Sequence, residues 1–332
     1  MLADARMPAA PTPSATMGDP PPPPPPPPLL FRAASALTVA AAGLTSRAFL
    51  HACQHTTVDG LGPFVALLDA RRAAPPARGL LTVSNHTSVL DDPLLWGVLP
   101  ARHLVARAHM RHALGAADIC FASAPARAFF ALGRVLPTHR LHRSPRGGLF
   151  QPTLDALPAL LAPPAAAWVH VFPEGRVHQH ARREMRYFRW GVARMILEPP
   201  VAPVVVPIFI AGFDDVMHED RGPPRCLPRV GKRVHISIGA PVPDQRWDDV
   251  RRRWRDLVAR EGADSEAVRT GAEAAALRSE TARRVRDEVE RLRRKAGYPE
   301  ETPGAGDPET YRNTGMDARD GKLEDGSLVK DT

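Results

Sequence analysis

From Gly79 onward the chain alternates short apolar runs with longer stretches of helical spacing. The first run, Gly79-Leu80-Leu81-Thr82-Val83, is short and β-prone and predicts a buried strand. Further β-like runs follow at 103–106, 129–137, 168–172, 204–210 and 234–238. Helical stretches lie between them at 154–161, broken by a proline, and at 183–197. In the second of these, Met185, Phe188, Val192 and Met195 share one face while Arg182, Arg186 and Arg189 lie on another. That is the pattern of a basic amphipathic helix, suited either to a core or to a membrane surface. Short strands alternating with helices predict an α/β layered fold.

The strand at 79–83 runs straight into Ser84-Asn85-His86-Thr87-Ser88-Val89-Leu90-Asp91-Asp92-Pro93. Pro93 after an acid suits the first position of a helix, where a missing N–H costs nothing. Ser88 with Asp91 three residues on is a competing capping box, a turn earlier. On either reading His86 and Asp91 bracket a strand-to-helix turn. On one continuous helix they would diverge by about 140°. Across a turn they can face each other, the carboxylate accepting from one imidazole nitrogen and leaving the other free as a base. Ser84 and Ser88 are close in sequence, but neither lies in a Gly-x-Ser-x-Gly elbow. A His-Asp pair without a protein nucleophile suits attack by the substrate's own hydroxyl. The competing role for the same residues is purely structural, a helix cap with Asp91 or Asp92 at the N-cap.

The ends differ from the middle. Residues 1–28 finish in an unbroken proline run and predict a disordered or polyproline leader. Residues 29–50 hold no acid and two arginines, Arg32 and Arg47, and are about long enough to cross a hydrocarbon layer. Their Ala, Ser and Thr content makes a mediocre transmembrane helix and fits a half-inserted or interfacial segment equally; an organelle-targeting peptide is a third reading, and a core helix is the bland one. Residues 51–262 carry the α/β alternation. Residues 263–297 are rich in Ala, Arg and Glu without a strong apolar stripe, predicting an exposed helical region, and 298–332 predict a disordered acidic tail.

With 44% hydrophobic residues over 332, the chain can bury a sizeable core. Net charge is +8, yet only four of the 44 basic residues are Lys. Arg abundance alongside Ala and Pro can reflect base composition of the genome, so it argues only weakly for a polyanion. No basic-plus-aromatic RNA motif is present, which argues against nucleic acid and leaves an anionic membrane surface. Cys53, Cys120 and Cys226 have neither metal nor disulfide spacing. No metal and no cofactor is expected.

Two further clusters bear chemistry. Phe172-Pro173-Glu174-Gly175-Arg176 follows a predicted strand, placing Glu174 and Gly175 at the carboxyl edge where open α/β sheets bind ligands. Arg140, Arg143 and Arg146 can fork onto phosphate oxygens or form a solvated basic loop.

These motifs together resemble the glycerolipid acyltransferase superfamily. Its four signatures occur in order: His86-x-x-x-x-Asp91, Gly133 to Arg140, Phe172-Pro173-Glu174-Gly175, and Val206-Pro207-Ile208. A branch of mitochondrial phospholipid–lysophospholipid transacylases is closest, on Asn85-His86 through Leu95-Trp96-Gly97, Ala116-Ala117-Asp118-Ile119-Cys120-Phe121, Trp168 through Val177, and Phe188-Arg189-Trp190-Gly191. The likeness spans about Leu30 to Gly297. It departs at Arg176, where the family often has Lys, in the Arg-rich 134–149 region, in the leader and in the tail. The resemblance implies a central mixed sheet flanked by helices and CoA-independent exchange of acyl chains. The lipids implied are phosphatidylcholine and a lysophospholipid, including cardiolipin remade from monolysocardiolipin at a mitochondrial membrane. His86 would be the base and Asp91 its orienter, with Arg140, Glu174 and Gly175 positioning the phosphate-glycerol portion. An acyl-CoA-dependent lysophospholipid or glycerol-phosphate acyltransferase shares every core motif and is the alternative.

Overall fold

The computed structural model describes residues 28–141, 143–312, 321–322 and 328–329. The proline-rich leader before residue 28 and residues 313–320, 323–327 and 330–332 of the acidic tail lie outside them. Seven strands form the main sheet: β1 (His55–Asp59), β2 (Leu80–Ser84), β3 (His112–Ala116), β4 (Val135–Thr138), β5 (Trp168–Val171) and, after a short β6 (His178–Gln179), β7 (Val204–Ala211) and β8 (Arg233–Ile238). Their order is β1-β8-β7-β2-β5-β3-β4, every neighbouring pair parallel except β7 and β8. This is the mixed sheet that the motifs imply. All five residues of β2 are buried, which is why its sequence reads as an unbroken apolar run rather than an alternating one.

Side chains on the central strands alternate between two apolar layers. Leu80, Trp168, Val206, Ile208 and Ile210 face the first, under α1 (Leu29–Cys53), α2 (Leu61–Ala73), α3 (Asp91–Leu95) and α4 (Ala101–Leu104). Leu81, Val83, Val169, Val171, Val205 and Phe209 face the second. Past β3 come α5 (Ala117–Cys120) and α6 (Ala124–Leu132), and the second layer then begins with α7 (Pro152–Leu161) and α8 (Gly191–Leu197). The short α9 (Phe213–Val216) returns to the first layer, and α10 (Asp248–Glu261), α11 (Glu266–Thr270) and α12 (Ala272–Lys295) complete the second.

Several expectations are corrected. Residues 103–106 are not a strand: they end α4 and the turn after it, and the strand is His112–Ala116. Residues 129–132 belong to α6, whose start is fixed by Ser123, its Oγ accepting from Ala126 N at 3.3 Å, with Pro125 in the first turn. Only Val135–Thr138 of that run is extended. The helix expected over 183–197 is confined to Gly191–Leu197. Residues 180–190 instead form a strap in which Met185 N, Arg186 N and Arg189 N donate to Glu301, Glu174 and Pro173 rather than to carbonyls four residues back. Met185 and Phe188 are buried, but so is Arg186, so this stretch presents no basic helical face.

The region after 262 is not an exposed helix. Leu277, Thr281, Val285 and Val289 of α12 are buried against the sheet. Three arginines on the same side donate to carbonyls that have no helical partner. Arg286 Nε reaches Arg186 O at 2.9 Å, Arg293 Nε reaches Arg183 O at 2.7 Å, and Arg278 Nη2 reaches Val268 O at 2.8 Å. An apolar count missed this face because much of it is guanidinium. Part of the tail expected to be disordered also packs. Glu301 accepts from Met185 N at 2.8 Å, Thr302 N donates to Glu184 at 3.0 Å, and Tyr311 stacks on Arg186 at 4.0 Å.

Helix α1 is laid across the first layer. Its buried residues are Ser35, Val39, Gly43, Ser46 and Leu50, while Leu30 and Leu37 are 86% and 73% exposed. The three cysteines are free.

Candidate active site

β2 and β5 are neighbours in parallel, so the segments that leave their carboxyl ends meet. After β2, Asn85 turns the chain by closing a two-way bridge to β7. Its Nδ2 donates to Ile210 O and its Oδ1 accepts from Ile210 N, both at 2.8 Å. His86 follows, stacked on Phe172 from β5 with ring centroids 4.3 Å apart. Helix α3 starts at Asp91, not at Pro93. Asp91 is fully buried, and its Oδ2 accepts from His86 Nδ1 at 2.8 Å, from Thr87 N at 2.5 Å and from Ser88 N at 2.9 Å. The bond from Ser88 N is the one a capping box would make, but Ser88 lies two residues before the N-cap, Leu90, so no capping box forms. Ser88 Oγ instead accepts from Leu90 N at 3.3 Å. Leu90 makes no side-chain cap bond, so the Asp91 carboxylate serves the turn and the dyad rather than the helix end. With Nδ1 donating to Asp91, Nε2 is the acceptor nitrogen, and it makes no hydrogen bond among the described residues.

Glu174 is 2% exposed and touches the dyad through the backbone. Its Oε1 accepts from His86 N and its Oε2 from Arg186 N, each at 2.9 Å. Burial pushes this carboxyl up to about 7, against the pull of those two N–H groups and of the nearby His86 and Arg186 side chains. Both oxygens are therefore occupied by protein, tying the His86 turn to the strap. Gly175 follows with φ of +73°, and a Cβ there would stand 2.8 Å from the Cδ and Nε of Arg189. Both the conformation and the contact require glycine. β6, just before the strap, closes the far side of the turn: His178 N donates to His86 O at 2.8 Å and Gln179 Nε2 to Thr87 O at 2.9 Å.

Beneath the dyad lies a second polar layer. His170 Nδ1 is 2.9 Å from Thr82 Oγ1, and burial depresses the imidazole to about 3, so the ring is neutral. Burial would raise the Asp92 carboxyl, but the Arg111 guanidinium beside it prevails and holds it below the usual range. That ion pair also takes Trp96 Nε1 at 3.2 Å.

Of the residues singled out in the sequence, His86, Asp91, Glu174 and Gly175 come together. Arg140 does not join them directly. It follows β4, two strands beyond β5 on the same sheet edge, and its Nε donates to Asp118 at 3.1 Å. Arg143 and Arg146 lie exposed in the next loop. Asn85, Gln179 and the strap backbone were not recognised as parts of the site. For Asn85 the signal was present, an amide in the first position after a buried strand; for the strap none was.

An α/β sheet bearing a buried-carboxylate–imidazole pair at its carboxyl edge, followed by Phe-Pro-Glu-Gly on the neighbouring strand, defines an acyltransferase, and the Acyltransferase family model matches residues 68–211. Tafazzin of Saccharomyces cerevisiae is 33% identical over 309 residues, covering 80% of each chain. The N-acylphosphatidylethanolamine synthase of Arabidopsis thaliana is 32% identical over 199 residues, covering 59% of this chain and 66% of its own. The Dictyostelium discoideum protein named Taffazin is 37% identical over 187 residues, covering 55% of this chain and 61% of its own. The chain belongs to the tafazzin family.

Proposed function

We propose that this enzyme moves acyl chains between phospholipids without CoA, with His86 as the base. The observation that carries the reading is the 2.8 Å bond from His86 Nδ1 to the buried Asp91, which leaves Nε2 unbonded among the described residues. In the forward step a lysophospholipid hydroxyl gives its proton to Nε2 while its oxygen bonds to the ester carbonyl carbon of a second phospholipid. Asp91 holds the tautomer and stabilises the imidazolium. Collapse breaks the old ester C–O bond, and the departing glycerol oxygen takes the proton back. One ester replaces another, so the exchange is close to thermoneutral and runs either way.

Arg140, from its place after β4, and Glu174 with Gly175 position the lipid, Glu174 by fixing the backbone of the base. Phosphatidylcholine and monolysocardiolipin, with cardiolipin as a product, are the lipids that family membership suggests, and the site of action is a mitochondrial membrane. The exposed apolar side of α1 supports contact with that membrane.

The test is purified full-length protein in vesicles of labelled phosphatidylcholine and unlabelled lysophospholipid. Label should appear in the acceptor with no CoA present, and in the reverse direction when the label is exchanged. Transfer seen only after acyl-CoA is added would sustain the acyl-CoA-dependent alternative and end this one.

A further inference from the structure

Most arginines around the site are already engaged. Arg111 pairs with Asp92, Arg140 with Asp118, Arg183 with Asp214 and Asp215, and Arg286 and Arg293 cap backbone carbonyls. Arg189 differs. It is exposed, and its two terminal nitrogens make no hydrogen bond or ion pair among the described residues. It is nevertheless fixed at three points. Its backbone N donates to Pro173 O at 2.8 Å, its Nε donates to Glu174 O at 3.2 Å, and its stem lies against the bare Cα of Gly175. Glu174 joins it to the base, holding Arg189 by its carbonyl and the His86 backbone by its carboxylate. A long, flexible side chain has thus been immobilised with its charged fork left open, one residue away from His86.

We propose that the terminal N–H pair of Arg189 is a phosphate-binding fork for the phospholipid whose ester is exchanged at His86. Two non-bridging phosphodiester oxygens match the planar, doubly donating end of a guanidinium, which a point-charge ammonium does not match. In a glycerophospholipid the acyl ester lies only a few covalent bonds from the phosphate. A fork anchored one residue from the base therefore sets the ester's place relative to Nε2. It also gives Gly175 a second role beside its positive φ, since a Cβ there would push the Arg189 stem aside. The proposal rests on the phospholipid reading of the site and names the group that recognises the head of the lipid.

The experiment is calorimetric binding of dihexanoylphosphatidylcholine, kept below its micelle concentration, to the full-length protein, with acyl transfer in mixed vesicles measured alongside. Losing a forked, charge-assisted contact predicts that Arg189→Gln raises the Kd by about tenfold or more and raises KM with kcat largely kept. Arg189→Lys should recover only part of the loss. Gly175→Ala, confirmed folded by its melting curve, should weaken binding like Arg189→Gln. Arg252→Gln, an exposed arginine on α10, controls for net charge and should change nothing. Inorganic phosphate tests for a free-anion site, and displacement of the lipid at low millimolar phosphate would overturn the headgroup assignment. So would an unchanged Kd in Arg189→Gln, a wild-type protein that binds no lipid, or a loss confined to kcat, which would mark a structural role through Glu174. If the wild type binds the lipid in an Arg189-dependent way yet transfers no acyl chain, the functional reading fails and this one stands.

Discussion

Consider exchanging Glu174 for Gln, which keeps the shape and removes the charge. In the native protein the carboxylate is buried, accepts two backbone N–H groups, and titrates near 7 because burial outweighs what those bonds return. The folded value lies above the ordinary 4.5, so the sign is definite. Glu174 favours the fold most below pH 4.5, where it is neutral in both states, and this contribution is lost as pH rises through 7. A shift from 4.5 to about 7 corresponds to roughly 3 kcal/mol. Gln is the isostere of the neutral acid and does not titrate. Relative to the wild type, Glu174→Gln should therefore gain up to about 3 kcal/mol between pH 4.5 and pH 8, set against a pH-independent cost of about 1–3 kcal/mol for the backbone N–H that the amide leaves unpaired.

Activity should move the other way. Only the carboxylate offers an acceptor to both His86 N and Arg186 N. Gln turns one of its ends into a donor facing a donor, so either the base or the strap is released. A displacement of the order of 1 Å in a catalytic group can cost about a hundredfold in rate, and that is the expected loss in kcat. Denaturant unfolding of both proteins from pH 4.5 to 8, with vesicle acyl transfer over the range where both are folded, gives the comparison. A stability difference independent of pH, or a stabilised variant with full activity, would refute the clamp.

Two other perturbations follow from the same geometry. His86→Ala should abolish transfer in a protein with unchanged melting behaviour, and Asp91→Asn should lower kcat by about ten-thousandfold through the wrong imidazole tautomer; a folded His86→Ala protein that keeps most of its rate removes the base. Leu30→Glu with Leu37→Glu, both on the exposed side of α1, should shift the protein from vesicle pellet to supernatant while changing stability by less than about 0.5 kcal/mol each. Pelleting that survives both charges would mean that another surface meets the bilayer.

What was legible in the sequence followed burial and spacing. β2, β5, β7 and β8 are central strands, and their apolar runs named them correctly within a residue or so. The dyad was legible because His86 and Asp91 sit on one turn of one segment. The strap was not, because its register is set by partners on other segments: Glu174 for Arg186 N, Pro173 for Arg189 N, and Glu301 for Met185 N. Its apolar residues happen to recur at helical spacing, and tertiary bonding overrode that local signal. The α12 face was hidden for another reason. Arg278, Arg286 and Arg293 are counted as solvent-seeking in any periodicity argument, yet here each guanidinium serves carbonyls that no helix or sheet satisfies.

Residues 29–50 could not be assigned from composition because the helix is built inside out. An amphipathic helix of a soluble protein buries its large apolar residues and exposes polar ones. α1 buries Ser35, Gly43 and Ser46 beside Val39 and Leu50, and exposes Leu30, Leu37 and Leu44. The small inward residues permit backbone contact. A Cβ on Gly43 would stand 3.1 Å from the Leu104 side chain, and one on Gly97 only 2.7 Å from the carbonyl carbon of Ser46. Ser35 Oγ also donates to Leu132 O at 2.6 Å across the interface. Small residues and a hydroxyl bond at the contact, with leucine outside, are how helices associate within lipid. Moving three leucines from water into acyl chains is worth roughly 1.5–3 kcal/mol each. Deleting the segment would remove part of the core as well as the contact with lipid, so truncation confounds the two and charge placed on the outer leucines does not. On the function proposed above, a domain held in this way, side-on to a bilayer, would draw both the acyl donor and the acyl acceptor from one surface.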